Sequence, residues 1–349
     1  MRERTRELAG TLVFPLAGLA LIAGIILLGG KSPAQGFAAL ISGSLGGAFA
    51  LAETAIRACP LLLAGLGVTV AFRAGVWNIG AEGQIYIGAL AVVALAPALG
   101  MLPAPLAVPA ALLVAAAAGG VWAWVPAFLR TRRGVQEVIS TIMLNFIAIQ
   151  LVSWCVHGPL KESTGQFPYS NEIPAALMLP RLLPPTRLHL GVVFALAAVA
   201  VVWVFLFRTL RGFQLRAVGA SPEAALHAGI RTERSVWSAM AISGALAGIA
   251  GAVQLMGVSH ILFEKFSPGY GYTAIAAALL GGLHPVGVTL SAGLLGALEA
   301  GASAMQREAG VSTVIVYLVQ GVIILSVAHQ AARRRAVTEA IRQRGAQEV

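Results

Sequence analysis

The sequence predicts an all-α, polytopic integral membrane protein: a bundle of about ten transmembrane helices, some of them interrupted. Three observations predict it. Only 11% of the 349 residues are charged, against about 25% in a soluble domain. Mean hydropathy is +0.83. The apolar residues gather in long runs free of Lys, Arg, Asp and Glu, and a span needs about 20 such residues. Together they exclude a soluble globular protein, a disordered chain and a disulfide scaffold. Cys59 and Cys155 lie in apolar segments without metal spacing and read as free core thiols.

Taken in chain order, the runs place spans at 11–30, 58–73, 83–100, 106–129, 136–157, 188–207, 235–257, 271–283, 286–304 and 312–331, in a single transmembrane domain over 1–349. The first run is longer than a signal-peptide core and more spans follow, so it reads as an uncleaved helix. The charge-free run from Gly83 to Leu129 is twice a span's length, and Pro97, Pro103, Pro105 and Pro109 mark a turn within it. Gly281-Gly282 and His284-Pro285 break the run from Phe266 to Leu298. Residues 37–56, weakly apolar and rich in Gly and Ser, read as an external or interfacial helix. Gly43/Gly47 and Gly244/Gly248 have the spacing that lets membrane helices approach closely.

Charge orients the bundle. With the N-terminus in the cytoplasm, seventeen of the 24 cations fall inside, including the Arg130–Arg133 and Arg208–Arg216 groups and Arg333-Arg334-Arg335. Seven (Lys31, Arg57, Lys161, Arg181, Arg187, Lys265, Arg307) fall outside. That is the positive-inside bias. It accounts for the net charge of +10 without nucleic acid, and an even number of spans places both termini in the cytoplasm.

Energy coupling within the chain finds no support. Gly29-Gly30-Lys31-Ser32 resembles the end of a phosphate-binding loop, but Ile25 stands where that loop needs its first glycine. The chain has no Asp. Few acids, Glu82, Glu137 and Glu299, fall in the apolar runs, whereas ion-coupled transporters place acidic or His chains there. Neither a catalytic nucleophile motif nor a metal motif is present, so neither catalytic nor metal residues are assigned. A secondary transporter remains the more distant alternative.

Four segments carry polar chemistry. The stretch Arg73–Gln84 joins two apolar helices with three glycines and a group of polar residues, Asn78, Glu82 and Gln84. Irregular backbone at membrane depth is tolerated where it lines a cavity or is buried in protein; a short cytoplasmic turn with Glu82 beside Arg73 is the other reading. In Gly134–Asn145, the residues Gln136, Glu137, Ser140, Thr141 and Asn145 gather toward one helical stripe, for a cavity or for a partner helix. In the Thr209–Arg234 segment, Ser221 suits an N-cap, Pro222 the first helical position, Glu223 the positive end of the helix, and Gly229 its stop. This is a short helix outside the bilayer, either a knob for another subunit or a solvated loop helix. Gly269–Pro285 is a short apolar helix bounded by glycines, and interrupted spans of this kind mark transport sites. His284 reads as a turn residue.

Asn78-Ile79-Gly80-Ala81-Glu82-Gly83-Gln84, the Glu137–Asn145 string, Arg216–Ala220 with Glu223-Ala224-Ala225 and Gly229, and Gly269–Gly282 stand in the order found in permease subunits of bacterial ABC importers. The chain resembles the branched-chain amino acid/ribose permease group, closest to its nucleoside-type branch, over nearly its whole length. It departs from the pattern at Gln136 and Gly282. The resemblance implies a permease of the bacterial plasma membrane that moves a nucleoside by alternating access, with a simple sugar or other small polar solute as the alternative. It implies as partners two ATP-binding cassette subunits, a second permease subunit and an external substrate-binding lipoprotein. ATP and Mg would sit in the ATPase partners, with no cofactor in this chain. Asn78, Glu82, Gln84, Glu137 and Asn145 would line the substrate pathway. Ser221, Pro222, Glu223, Ala224, Ala225 and Gly229 would form the coupling helix that meets the ATPase.

Overall fold

A computed structural model describes residues 20–21, 23–312, 314, 318 and 321–322; the first half of the span expected at 11–30 and most of the span expected at 312–331 lie outside the described residues, while 23–28 are helical. Among these residues the chain is helical, with no strand and only two isolated bridges, Tyr169–Phe263 and Arg181–His189. The helices are α1 (Pro33–Leu45), α2 (Ala48–Arg73), α3 (Ala81–Leu99), α4 (Ala104–Arg133), α5 (Glu137–His157), α6 (Gly191–Arg208), α7 (Leu210–Ala220), α8 (Pro222–His227), α9 (Thr232–Gln254), α10 (Tyr270–Leu280) and α11 (Pro285–Ala309). Seven of them, α2 to α6, α9 with its following π turn, and α11, are long and apolar enough to cross a membrane. The protein is a polytopic helical membrane protein.

The chain forms two compact units, one of residues 1–54 with 297–349 and one of residues 55–296. In the first, Ser32 Oγ accepts from Gln35 N and Pro33 opens α1, so the near-miss phosphate-loop sequence forms a helix start. Residues 37–56 divide between two helices, because Gly46 ends α1 and Gly47, at φ +146°, redirects the chain into α2. Gly43 is a packing glycine: a Cβ there would lie 2.1 Å from the Ala304 Cβ.

The second unit is centred on α3, α4 and α9. Small residues bring these helices into backbone contact. A Cβ on Gly244 would lie 2.2 Å from Gly119 O, one on Gly248 2.2 Å from Ala115 O, and one on Gly251 2.0 Å from Ile85 O. With lipid as apolar as any side chain, such close packing is a main source of helix association in a membrane. A turn over residues 100–103 separates α3 from α4. α10 has 11 residues, about 16 Å of helix, roughly half the hydrocarbon core. Gly269 at φ +97° precedes it, and Gly282 and Leu283, both left-handed, follow it. The segment expected as a span at 271–283 is therefore a half-length helix. His284 O accepts from Val288 N in the first turn of α11, and its ring packs 5.3 Å from that of Phe207.

Leu255–Ser259 continues α9 as a π turn that ends at left-handed His260. The His189 ring packs against Gly257, where a Cβ would meet it at 2.6 Å. Its Nδ1 accepts from Gly191 N at 3.2 Å. Both cysteines are buried and free.

Candidate functional site

The unwound stretch between α2 and α3 is the centre of a polar network in the second unit. α2 ends at Arg73, and Gly75, at φ +73°, turns the chain; residues 76–79 follow as irregular backbone before α3 begins at Ala81. Irregular backbone leaves N–H and C=O groups unpaired, and inside a membrane each must find a partner. Two neighbouring helices, α4 and α5, supply them. Arg130 at the end of α4 donates to Gly75 O at 3.3 Å and pairs with Glu137 at 2.8 Å. Glu137 accepts from Trp77 N at 3.3 Å. Asn145 of α5 accepts from Gly83 N at 2.8 Å and donates to Ile79 O at 2.9 Å.

Asn78 and Gln84, both buried, form a reciprocal amide pair with both bonds at 3.0 Å. Asn78 also donates to Ser243 Oγ of α9 at 2.8 Å and accepts from Gly80 N at 2.9 Å. All four hydrogen-bonding positions of its amide are occupied. Gly80 cannot be larger without crowding this pair, since a Cβ there would sit 3.0 Å from Asn78 Oδ1 and from Gln84 Nε2.

Glu82 is buried in the first turn of α3. Its carboxyl accepts from Gly271 N at 2.6 Å, in the first turn of α10. The two backbones touch there: a Cβ on Gly271 would lie 2.1 Å from Glu82 N. Two helix N-termini thus meet at one carboxyl, and the positive ends of both helices face its accepting oxygen. Asn145 Nδ2 also donates to the Tyr272 hydroxyl at 3.3 Å. Arg73 turns elsewhere, donating to Leu283 O at 2.8 Å, so the surface pairing of Glu82 with Arg73 does not form.

The structure therefore brings Asn78, Glu82, Gln84 and Asn145 into one buried network, with Glu137 bracing its rim. Ser140 and Thr141 return their hydroxyls to carbonyls of their own helix, the Glu137 carbonyl among them. Ser243 and Tyr272 complete the network. Ser243 lies one residue before Gly244, in a stretch whose small residues signal packing, and Tyr272 carries no spacing signal. Among the described residues, no group of three or more His, Cys, Asp or Glu side chains is arranged to hold a metal ion.

The second feature is α8. Ser221 Oγ accepts from Ala224 N at 3.2 Å, Pro222 takes the first helical position, Glu223 lies exposed in the first turn and Ala225 is buried. Gly229, at φ +78°, ends the segment in a conformation that suits glycine. α7, which leads into α8, touches the unwound stretch directly: a Cβ on Gly219 would lie 2.1 Å from Arg73 O and 2.9 Å from Gly75 N. A continuous packed path thus runs from α8 to the polar network.

Residues 50–328 match the family described as branched-chain amino acid transport system / permease component. The chain belongs to this permease family. The permease is 39% identical to the guanosine ABC transporter permease protein NupP of Bacillus subtilis (strain 168) over 338 residues, covering 96% of this chain and 97% of that one. It is 35% identical to the glucose ABC transporter permease protein TsgB13 of Haloferax volcanii, over 90% of this chain and 86% of that one. Against the nucleoside ABC transporter permease protein NupB of Lactococcus lactis subsp. cremoris it is 30% identical, over 94% and 92% of the two chains. No solved structure matches it significantly. Its role is transport, as a permease subunit of an ABC importer.

Proposed function

We propose that this permease carries nucleosides inward across a bacterial plasma membrane, with its two termini and α8 on the cytoplasmic side. The observation that carries the substrate class is the near full-length likeness to permeases named for guanosine and nucleosides. The network is chemically suited to such a solute. Its amides, hydroxyls and carboxyl are the donors and acceptors that ribose hydroxyls and base edges require, and a buried polar group left unpaired costs about 1–3 kcal/mol. In this conformation Asn78 and Gln84 satisfy one another, while Asn145 and Glu82 bond nearby backbone. We read alternating access as an exchange in which some of these internal bonds give way to bonds with the solute.

Two ATP-binding cassette subunits, a second permease and an external binding lipoprotein complete the proposed transporter, with ATP and Mg in the ATPase subunits and no cofactor in this chain. α8 is the proposed coupling helix, with Ser221, Pro222 and Gly229 setting its shape, Glu223 facing the ATPase, the exposed Ala224 permitting close approach and the buried Ala225 seating the helix on the permease. A simple sugar is the second reading, favoured by the likeness to the glucose permease. Uptake of radiolabelled guanosine and of glucose by cells expressing the whole transporter separates the two. Guanosine uptake abolished by deleting this permease supports the proposal; glucose uptake alone refutes it.

A further inference from the structure

A cavity of about 470 Å³ opens between α6, α7 and the start of α9, away from the polar network. Arg211, Arg231 and Arg234 line it together. Among the described residues none of the three has a carboxylate at ion-pair distance, and Glu233, on the same turn, lies 3.8 Å from Arg132 instead. Three like charges around one concave space repel unless an anion joins them. Arg231 is also the N-cap residue of α9, and its side chain caps no backbone N–H; the positive end of that long helix adds to the same field.

The cavity has a second character. Part of its wall is apolar, formed by Phe205 of α6, Leu215 of α7 and Ile242 of α9, beside the polar Gln214, Ser235 and Ser238. Ile242 lies ten residues beyond the first residue of α9, about 15 Å along the axis, so the cavity runs from a basic rim toward the apolar depth of the bundle. A small hydrated anion uses the rim and leaves that wall bare. An amphipathic anion uses both. Basic pockets between membrane helices on the cytoplasmic side suit anionic lipid headgroups.

We propose that this cavity binds a phosphate group, and that its source is an anionic phospholipid of the cytoplasmic leaflet, with the phosphate at Arg211, Arg231 and Arg234 and an acyl chain against Phe205 and Ile242. Gly229 and Ile230, just beyond the Ala228 that caps α8, form part of the same wall. The lipid therefore steadies the segment that carries the coupling helix. This last consequence, and the side of the membrane, rest on the reading given under Proposed function; the phosphate site itself does not.

Native mass spectrometry of the assembled, delipidated transporter tests the proposal, with phosphatidylglycerol, phosphatidylcholine and millimolar inorganic phosphate as probes. The wild type is expected to retain phosphatidylglycerol over phosphatidylcholine. The combined variant Arg211→Gln, Arg231→Gln, Arg234→Gln should lose that preference at least about tenfold. Arg234→Gln alone, at an exposed position, should show a smaller loss with normal assembly and guards against a folding failure of the triple variant. Arg133→Gln with Arg208→Gln, removing charge elsewhere, should keep it. Inorganic phosphate displacing the lipid only partly fits a lipid site. Inorganic phosphate binding fully where phosphatidylglycerol does not would keep the phosphate site and overturn its lipid source. Equal lipid retention by wild type and both cavity variants overturns the site. So does lipid retention accompanied by loss of the ATPase, which assigns the arginines to a protein partner. Guanosine uptake is read separately, so failure of the substrate assignment leaves this result intact.

Discussion

Adding one methyl group at Gly219 probes the path between α8, the proposed coupling helix, and the polar network. In Gly219→Ala the new Cβ would stand 2.1 Å from Arg73 O, where ordinary contact begins at 3.4 Å. The two segments must therefore part by about 1.3 Å, because both sides of the contact are backbone and no side chain can swing aside. Overpacking of this kind costs about 1–3 kcal/mol. The strain falls on Arg73–Gly75, the turn that leads to Asn78, and on the α7 end that leads to Ser221. Couplings between sites typically amount to 1–3 kcal/mol, or 5–150-fold, so relieving the strain by separating the segments is enough to disconnect them. Gly219→Ala should insert and assemble, hydrolyse ATP in the complete transporter, and lose guanosine uptake by about tenfold or more; Gly219→Val should be worse. The assay is ATP-driven uptake in proteoliposomes beside the ATPase rate of the same preparation. Wild-type uptake per ATP in both variants would show that motion does not pass through this contact.

Four further outcomes are expected. Asn78→Ala leaves Gln84, Ser243 and Gly80 N short of partners, at about 1–3 kcal/mol for an unpaired buried group. Both it and Gln84→Ala should lower thermal stability and uptake while the ATPase still co-purifies; unchanged uptake in both removes the pair from the pathway. Glu82→Ala should abolish uptake by freeing Gly271 N, and Glu82→Gln, which keeps a carbonyl acceptor, should retain most of it; equal loss of uptake in both would require the charge itself. Glu223→Lys and Gly229→Val should insert normally yet weaken ATPase co-purification and uptake, the second because valine tolerates φ +78° poorly; normal values for both exclude α8 as the coupling helix. Ser221→Cys, beside native cysteines that are both buried, should resist an impermeant thiol reagent in intact cells and react in inverted vesicles. Labelling in intact cells reverses the proposed orientation.

Membrane class, helical fold and family were legible in the sequence, since each rests on local or linear information. Scarce charge and long apolar runs require helices that satisfy their own backbone in lipid. The Ser221-Pro222-Glu223 signal and the Gly229 stop act within one turn of helix, and the structure forms both locally. The polar residues Asn78, Glu82, Gln84 and Asn145 stood out because lipid is a costly place for them. Their partners were not legible. Whether Glu82 answers Arg73 or an N–H of α10 depends on which helices meet, and Gly271 lies 189 residues away. Ser243 and Tyr272 enter the network only because α9 and α10 pack against the unwound stretch, and neither residue type announces that by itself. The same holds for Arg211, Arg231 and Arg234. In the sequence they belong to a charge bias read as cytoplasmic, but packing of α6, α7 and α9 folds them around a single cavity with a partly apolar wall. Periodicity and composition decide what a segment can be; which of its polar groups face one another is decided by close approach of helices at glycines such as Gly75, Gly219 and Gly271, where backbone must touch backbone.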